Sequence, residues 1–316
     1  MRSIENKVNV AIVQVKPVYL DIKASLEKAV TNIEDAAKQG ADLIAFGETW
    51  LTGYPTFLDY VPAACLWNHK PTKEVYSLLL QNSPTIQGKE IDVLSEAAKT
   101  HNVTVVMGLN EKVQDAPGHG TIYNSLITIG SGGRILNHHR KLVPTFTERI
   151  IWGQGDGDGL QAVDTKAGKV GGLICWEHWM PLARQTLHNS AEQIHIAVWP
   201  TVNEMHQMAS RHYAFEGRCF VLATGLISSV DDLPRQFSIP KELSDHPDKL
   251  LQRGGSAIIG PDGQYVVEPV YDEETIVMAE IDLNKIHEES MTLDVTGHYT
   301  RNDVFSLQVN KHMRRL

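Results

Sequence analysis

Short apolar runs rich in β-branched residues alternate with amphipathic helical segments along this chain, and this alternation is its strongest structural constraint. The run VNVAIVQV at 8–15 is typical of a buried strand. Between Asp21 and Gln39 apolar residues recur at helical spacing, and Gly40 then predicts the end of that helix. The run ADLIAFGE at 41–48 predicts a second buried strand. A strand, a helix and a strand at such close spacing favour an α/β fold.

The same kind of pattern continues to about residue 283. It predicts, in order, a helix over 88–100, a strand over 103–109, a hairpin with a glycine turn over 122–141, a strand over 168–175, a helix over 181–192, a strand over 194–200, a helix over 203–218, a strand over 219–226, and further strands within 254–269 and over 275–283. The proline-containing segment 228–253 is expected to be a surface excursion. With no repeat and no linker in the sequence, we expect one domain over residues 1–290 and a tail over 291–316.

Charge and composition exclude several classes of partner. The chain has 29 Lys and Arg against 38 Asp and Glu, and the net charge of −9 is spread along it, which argues against a nucleic-acid surface. Its start, MRSIENKVNV, lacks the apolar core of a signal peptide, and no run approaches the roughly 20 apolar residues of a membrane span. We therefore expect a cytoplasmic protein that binds neither nucleic acid nor membranes.

The cysteines Cys65, Cys175 and Cys219 form no CxxC motif, so neither a disulfide framework nor a zinc site is expected. Cys65 and Cys219 are expected to be inert.

Cys175 is the sharpest candidate for chemistry. It ends the apolar run GKVGGLIC, and Pro181 then predicts the start of a helix. A cysteine between a strand and a helix lies where backbone N–H groups lower a thiol pKa and hold a developing anion. Free cysteine is also among the most buried residue types, so a packing role is the alternative. The bulky WEHW that follows is unusual for a simple turn and favours a site built for a ligand.

Three further ionisable residues stand at or near predicted strand ends. Glu48 follows the mostly apolar LIAFG, where a carboxylate costs free energy unless it has a partner or a task; a loop cap is the alternative. Lys141 ends the second hairpin strand and Glu148 follows in TFTER, and both could be ordinary solvated residues. With Cys175 they form a coherent set, because a cysteine nucleophile needs a base for its proton and a cation for negative charge on the substrate.

Other conspicuous segments are expected to be structural. The stretch GQGDGDG at 153–159 is followed by no P-loop lysine, so it is interpreted as a glycine-rich turn beside the active site. His138 and His139 are adjacent on a predicted strand and point to opposite faces, while His206 and His212 are six residues apart on a predicted helix. Neither pair has the geometry of metal ligands, so no metal site is expected.

The motifs FGETWLTGYP, HHRKLVPTFTERIIWGQGDGDGL and GGLICWEHWMPLAR occur in this order and resemble the nitrilase branch of the carbon–nitrogen hydrolase family. The likeness extends from about Val8 into the tail, where DVTGHYTRNDVF resembles nitrilase C-terminal segments. This resemblance implies a four-layer αββα sandwich and a Glu–Lys–Cys triad, carried here by Glu48, Lys141 and Cys175, with Glu148 as the family's additional glutamate. It also implies hydrolysis of an organic nitrile to the carboxylic acid and ammonia through a covalent thioimidate, without a cofactor.

The pocket and the assembly follow from the same resemblance. Trp176 lies next to the proposed nucleophile, and we expect it to line the substrate pocket with Tyr54, His178 and Trp199. Nitrilases form homodimers and larger spirals, so the predicted helices over 181–192 and 203–218 would form a dimer face that residues 290–316 cross. Two alternatives stay open: an amide hydrolase on the same triad, and a non-catalytic assembly protein.

Overall fold

The computed structural model describes residues 6–113 and 120–311. Its strands are β1 Lys7–Gln14, β2 Leu43–Phe46, β3 Thr104–Lys112, β4 Ile122–Ile129, β5 Ile135–Arg140, β6 Val163–Thr165, β7 Gly168–Ile174, β8 Ile194–Val198, β9 Phe220–Thr224, β10 Ile227–Ser229, β11 Leu250–Ile259, β12 Tyr265–Tyr271 and β13 Thr275–Asp282. Its α-helices are α1 Ile22–Lys38, α2 Phe57–Tyr60, α3 Lys70–Asn82, α4 Lys89–His101, α5 Pro181–His188, α6 Glu204–Gly217, α7 Lys241–Ser244 and α8 Asn284–Ser290. Among these described helices, none has the length and apolar character that crossing a membrane requires.

The strands form two mixed sheets, with the orders β13-β1-β2-β3-β4-β5 and β10-β11-β9-β8-β7-β6, and β12 pairs with β11. In the first sheet β1, β2 and β3 are parallel. The β4 strand runs antiparallel to β3, and β5 runs antiparallel to β4. Because the strand direction reverses twice, at β4 and again at β5, β5 runs in the same direction as β2 and β3. Strands β2 and β5 therefore end at the same edge of the sheet.

The alternation of side chains along β1 explains the layers. Ala11 and Val13 pack on one face of the first sheet in the same core as Ile33 of α1. Val10 and Ile12 point to the opposite face and join a second core that includes residues of β8, β9, α5 and α6. The two sheets therefore stack face to face with helices outside both, and the predicted αββα sandwich is confirmed.

The predicted excursion over 228–253 is wrong in part. This segment contains β10 from Ser228, the short helix α7 and the beginning of β11. Leu233 and Phe237 are buried, and the Phe237 ring stacks on Phe57 with centroids 4.9 Å apart. Prolines mark the turns here, but the apolar residues between them complete the outer core. Helices α2 and α3 were not predicted, and α5 ends at His188, before the predicted residue 192.

Candidate active site

Cys175 lies at a sharp change of direction. Strand β7 ends at Ile174, a single 3₁₀ turn covers Cys175–Trp179, and α5 then begins at Pro181. The backbone of Cys175 has φ of 54°, in the left-handed region that residues other than glycine rarely adopt. Such strain costs about 1–3 kcal/mol and persists where the surrounding structure enforces it, commonly at functional sites. A merely packing thiol would not require this conformation.

Three other residues predicted from sequence, Glu48, Lys141 and Glu148, come together around this thiol. The Lys141 Nζ donates hydrogen bonds to Glu48 Oε1 at 3.0 Å and to Glu148 Oε2 at 2.7 Å. The Cys175 Sγ and one carboxylate oxygen from each of Glu48 and Glu148 all lie within 4.8 Å of one another. All four side chains are buried.

The sheet topology produces this meeting point. Glu48 follows the end of β2 and Lys141 follows the end of β5, which reach the same edge of the first sheet. Cys175 follows β7 of the facing sheet. The loop that carries Glu48 lies so close to β3 that a Cβ added at Gly108 would be 2.1 Å from the carbonyl oxygen of Gly47. Only glycine fits there without displacing that loop.

The glycine-rich stretch at 153–159 supports the opposite side of the cluster. The Gly155 N–H donates to the carbonyl oxygen of Lys141 at 2.8 Å. A Cβ at Gly155 would lie 2.2 Å from the carbonyl oxygen of Arg140, so this loop packs directly on the end of β5. The stretch is therefore a turn beside the cluster, as the sequence predicted.

Burial decides the protonation of the cluster. It raises the pKa of Glu48 to about 7, a shift that Lys141 opposes and Glu148 reinforces. It also raises the pKa of the Cys175 thiol well above its ordinary value, against the opposing charge of Lys141. Burial alone would favour a neutral Lys141 amine, but the acidic groups around it, Cys175, Glu48 and Glu148, raise its pKa, so Lys141 is an ammonium. The Trp176 N–H lowers the pKa of this thiol, as its position between a strand and a helix predicted, but burial has the larger effect and the net shift is upward.

A cleft of about 750 Å³ opens over the thiol. Its lining includes Tyr54, Glu148, Cys175 and Trp176. The Tyr54 hydroxyl donates to Glu148 Oε1 at 2.7 Å, so this tyrosine also fixes the second glutamate. The Trp176 indole is half exposed at the mouth of the cleft.

His178 and Trp199, the other two residues expected in the pocket, lie behind the cleft and not in its lining. The 3₁₀ turn explains this: it directs Trp176 outward and His178 inward. The buried His178 ring stacks on Trp199 with centroids 4.5 Å apart, and its Nδ1 contacts the carbonyl oxygen of Cys175 at 2.6 Å.

Sequence reasoning missed Glu177, which joins the two sheets beneath the cluster. Its carboxylate accepts hydrogen bonds from the backbone N–H of Ile174 at 2.7 Å and of Leu142 at 2.8 Å. The His139 Nε2 donates to the same carboxylate at 2.9 Å. These bonds fix the residues next to Cys175 and Lys141. A carboxylate inside the bulky segment CWEHW was the available signal.

A second missed residue is Asn124. From β4, its Nδ2 donates to Glu48 Oε1 at 2.7 Å. That oxygen also accepts from Lys141, whereas Glu48 Oε2 has no hydrogen-bond partner among the described residues. Asn124 and Lys141 thus orient the carboxylate and leave its second oxygen available for a proton.

Within the described residues, one group of side chains has the spacing of metal ligands, namely Glu48, Glu148 and Cys175. The Lys141 ammonium lies among these donors and would repel a cation there. His138 and His139, which were discounted as ligands, instead contact the carboxylates of Glu111 and Glu177.

Comparisons with known proteins show what this chain is similar to. The family description Carbon-nitrogen hydrolase matches residues 9–289. A protein named nitrilase 2, from an unknown prokaryotic organism, is 38% identical over 98% of this chain and 94% of its own length. An arylacetonitrilase from Aspergillus kawachii is 36% identical over 98% of this chain and 94% of its own length. The crystal structure of a carbon–nitrogen hydrolase from Helicobacter pylori G27, 20% identical, superposes with a TM-score of 0.68 over 94% of this chain and 96% of that chain, which supports the fold.

Proposed function

This chain belongs to the carbon–nitrogen hydrolase family, and we propose that it hydrolyses an organic nitrile to the carboxylic acid and ammonia, with Cys175 as the nucleophile. The observation that carries this proposal is the buried cluster of Cys175, Glu48, Lys141 and Glu148 beneath an open cleft. Nitrilases with 34–38% identity over nearly the whole chain support the nitrile as substrate.

The first half of the reaction forms a covalent thioimidate. Burial keeps Cys175 protonated at rest, so Glu48 takes the thiol proton as the sulfur attacks the nitrile carbon. One C≡N π bond breaks, and its electron pair moves to the nitrogen. The Lys141 ammonium and the Trp176 backbone N–H stabilise that nitrogen. The proton held by Glu48 then passes to it, which leaves a neutral thioimidate and a carboxylate at Glu48.

The second half releases the products. Glu48 takes a proton from a water molecule, whose oxygen adds to the thioimidate carbon, and this proton reaches the nitrogen. The hydroxyl proton of the tetrahedral adduct then passes to the nitrogen, the carbon–nitrogen bond breaks, and ammonia leaves as the adduct becomes a thioester. A second water hydrolyses the thioester to the acid and restores the Cys175 thiol, so one nitrile and two waters give one acid and one ammonia. Glu148, held by Tyr54, keeps Lys141 oriented toward the nitrogen throughout.

The test compares nitriles with their matching amides. The purified protein is offered aliphatic, aromatic and arylacetic nitriles and the corresponding amides, and ammonia, acid and amide are followed by chromatography. Wild type should convert at least one nitrile mainly to acid. The variant Cys175→Ala should convert none, whereas Cys219→Ala, which removes a buried thiol outside the cleft, should stay active. Efficient hydrolysis of amides with every nitrile inert would make the protein an amidase.

We also propose that the chain forms a homodimer or a larger spiral through its second helical layer. The helices α5 and α6 expose the apolar residues Leu182, Met208 and Phe215, and the tail exposes Tyr299 and Phe305. Exposed apolar side chains concentrated on neighbouring elements are typical of interaction surfaces. In this proposal residues 1–290 are the hydrolase domain and residues 291–316 contribute to the contacts between subunits.

The cysteines support a cytoplasmic location. Cys65, Cys175 and Cys219 are all free thiols, and Cys175 must stay reduced to act as a nucleophile. Reducing compartments such as the cytoplasm maintain thiols in that state. Cell fractionation should therefore recover the protein with the cytosol.

A further inference from the structure

A chain of hydrogen bonds leads from the nucleophile into the protein, away from the cleft. The His178 Nδ1 contacts the Cys175 carbonyl oxygen at 2.6 Å, and the His178 Nε2 lies 2.9 Å from the His195 Nε2. The His195 Nδ1 lies 2.7 Å from Glu192 Oε1, and the Tyr213 hydroxyl donates to Glu192 Oε2 at 2.7 Å. All these side chains are buried, and the mechanism above uses none of them.

Hydrogen-bond chemistry fixes the direction of this chain. A carbonyl oxygen only accepts, so the His178 Nδ1 must carry a hydrogen. Burial, with the neighbouring His195, lowers the pKa of His178 well below its ordinary value, so the ring is neutral and its Nε2 accepts. The His195 Nε2 must therefore donate to it.

The hydrogen bond between the His195 Nδ1 and Glu192 Oε1 is the next link in this chain, and its direction depends on which of the two groups carries the proton. Burial raises the pKa of Glu192 to about 8, an effect that His188 opposes. Burial also lowers the pKa of His195 well below its ordinary value, so this ring is neutral. Its Nε2 carries the hydrogen donated to His178, and its Nδ1 accepts a hydrogen bond from the protonated Glu192 Oε1. Glu192 and His195 therefore select the His178 tautomer that donates to Cys175.

The hydrogen bond from His178 to the Cys175 carbonyl oxygen also determines the direction of the next backbone N–H group, that of Trp176. The carbonyl of Cys175 and the N–H of Trp176 belong to one planar peptide unit, which is trans and therefore directs them to opposite sides. His178 holds the carbonyl on the protein side. The N–H of Trp176 is consequently directed to the opposite side, where it lowers the pKa of the Cys175 thiol.

We propose that Glu192, His195 and His178 are positioning residues that fix the Cys175–Trp176 peptide, and with it both the sulfur and the N–H that meets the nitrile nitrogen. This inference rests on the proposed role of Cys175. A purely packing role is the alternative, because His178 also stacks on Trp199, and His195 stacks on Tyr213 with centroids 3.7 Å apart. Variants that keep the packing but change the hydrogen bonds separate the two roles.

The experiment uses two matched pairs of variants in a Cys65→Ser background, because Cys65 is exposed and would consume reagent. His178→Phe keeps a ring against Trp199 but removes the donor, whereas the Nδ2 of His178→Asn can still donate to the Cys175 carbonyl. His195→Leu removes the donor to His178, whereas His195→Gln keeps one. The readouts are the rate of Cys175 alkylation by iodoacetamide, kcat and KM for a nitrile, and near-UV circular dichroism.

His178→Phe and His195→Leu should both lower kcat and the alkylation rate by about 10- to 100-fold, because a small misplacement of reacting groups costs that much. KM should change by less than about threefold, since neither residue lines the cleft. His178→Asn and His195→Gln should recover most of both rates. A packing role predicts the reverse order at position 178, with the phenylalanine variant the more active.

Equal rates in wild type and His178→Phe would overturn the proposal, as would asparagine and phenylalanine variants that are equally impaired. Should His178→Phe fail to fold, His195→Leu and His195→Gln decide in the same way, and equal rates in these two would refute it. If wild type converts no nitrile, the proposed function fails, but alkylation of Cys175 still tests the positioning role.

Discussion

Replacing Glu177 by glutamine should weaken both the fold and the active site. The carboxylate accepts hydrogen bonds from the N–H groups of Ile174 and Leu142 and from the His139 Nε2, all in the buried interior. A glutamine keeps one accepting oxygen and turns an NH₂ group toward a donor. One buried backbone N–H then lacks an acceptor, at about 1–3 kcal/mol, and His139 loses a charge-assisted bond of about 1.5–3 kcal/mol. We expect a loss of about 2.5–6 kcal/mol in the free energy of unfolding, a large part of a typical stability of about 5–15 kcal/mol.

Urea unfolding followed by circular dichroism at pH 7 measures this loss, and kcat for a nitrile measures the effect on the site. The control is Glu34→Gln, an exposed carboxylate on α1, which should change stability by less than about 0.5 kcal/mol. Burial opposes ionisation of Glu177, but His139 and the two backbone N–H groups lower its pKa below 4.5. Its contribution is therefore present above pH 4.5 and lost as the pH falls through the lowered value, so the difference between the two proteins should narrow in acid. A difference below about 1 kcal/mol at pH 7, with unchanged kcat, would refute this role.

Three further predictions concern the catalytic cluster and the assembly. Glu48→Gln keeps the shape of the side chain but removes the base, so kcat should fall at least about 100-fold. In wild type, kcat/KM should decline as the pH falls through about 7, because Glu48 becomes protonated there. A flat pH profile would assign the base to another residue. Glu148→Gln should lower kcat and raise the share of amide in the product, measured by chromatography, because Lys141 loses a partner at 2.7 Å. Truncation before Met291 should weaken the dimer in light scattering, and a truncated protein that remains a fully active dimer would contradict the assembly proposal.

Much of the fold and the catalytic cluster could be predicted because both depend on short-range patterns. Apolar runs and helical periodicity located most strands and helices. Apolar runs placed Glu48 and Cys175 at strand ends, and the predicted hairpin placed Lys141 at another. These three side chains meet in space only because of the order of the strands in the two sheets. The family resemblance implied that order, whereas the residue patterns did not. The two reversals from β3 to β5 bring Lys141 to the edge where Glu48 lies.

The environment of individual side chains was harder to predict, because it depends on the path of one turn. Sequence adjacency to Cys175 placed Trp176 and His178 in the same pocket, yet the 3₁₀ turn separates them. The same turn buries Glu177, whose partners Ile174 and Leu142 belong to strand ends of different sheets. A contact between residues 35 positions apart, such as that of Leu142 with Glu177, leaves no periodic signal in the chain.

The thiol pKa shows how the complete site differs from its local motif. The N–H of Trp176 favours a thiolate, as the strand-to-helix position predicted, but burial and the charges of Glu48 and Glu148 disfavour it more. The only cation in hydrogen-bond contact with Glu48, within the described part of the chain, is Lys141, and it is shared with Glu148. A free thiolate would therefore place a third negative charge beside two carboxylates. In the proposed mechanism, attack on a nitrile avoids this, because the negative charge passes to the nitrogen while the proton passes to Glu48. That mechanism couples proton transfer to carbon–sulfur bond formation, so Cys175 acts as a nucleophile only when an electrophile is bound.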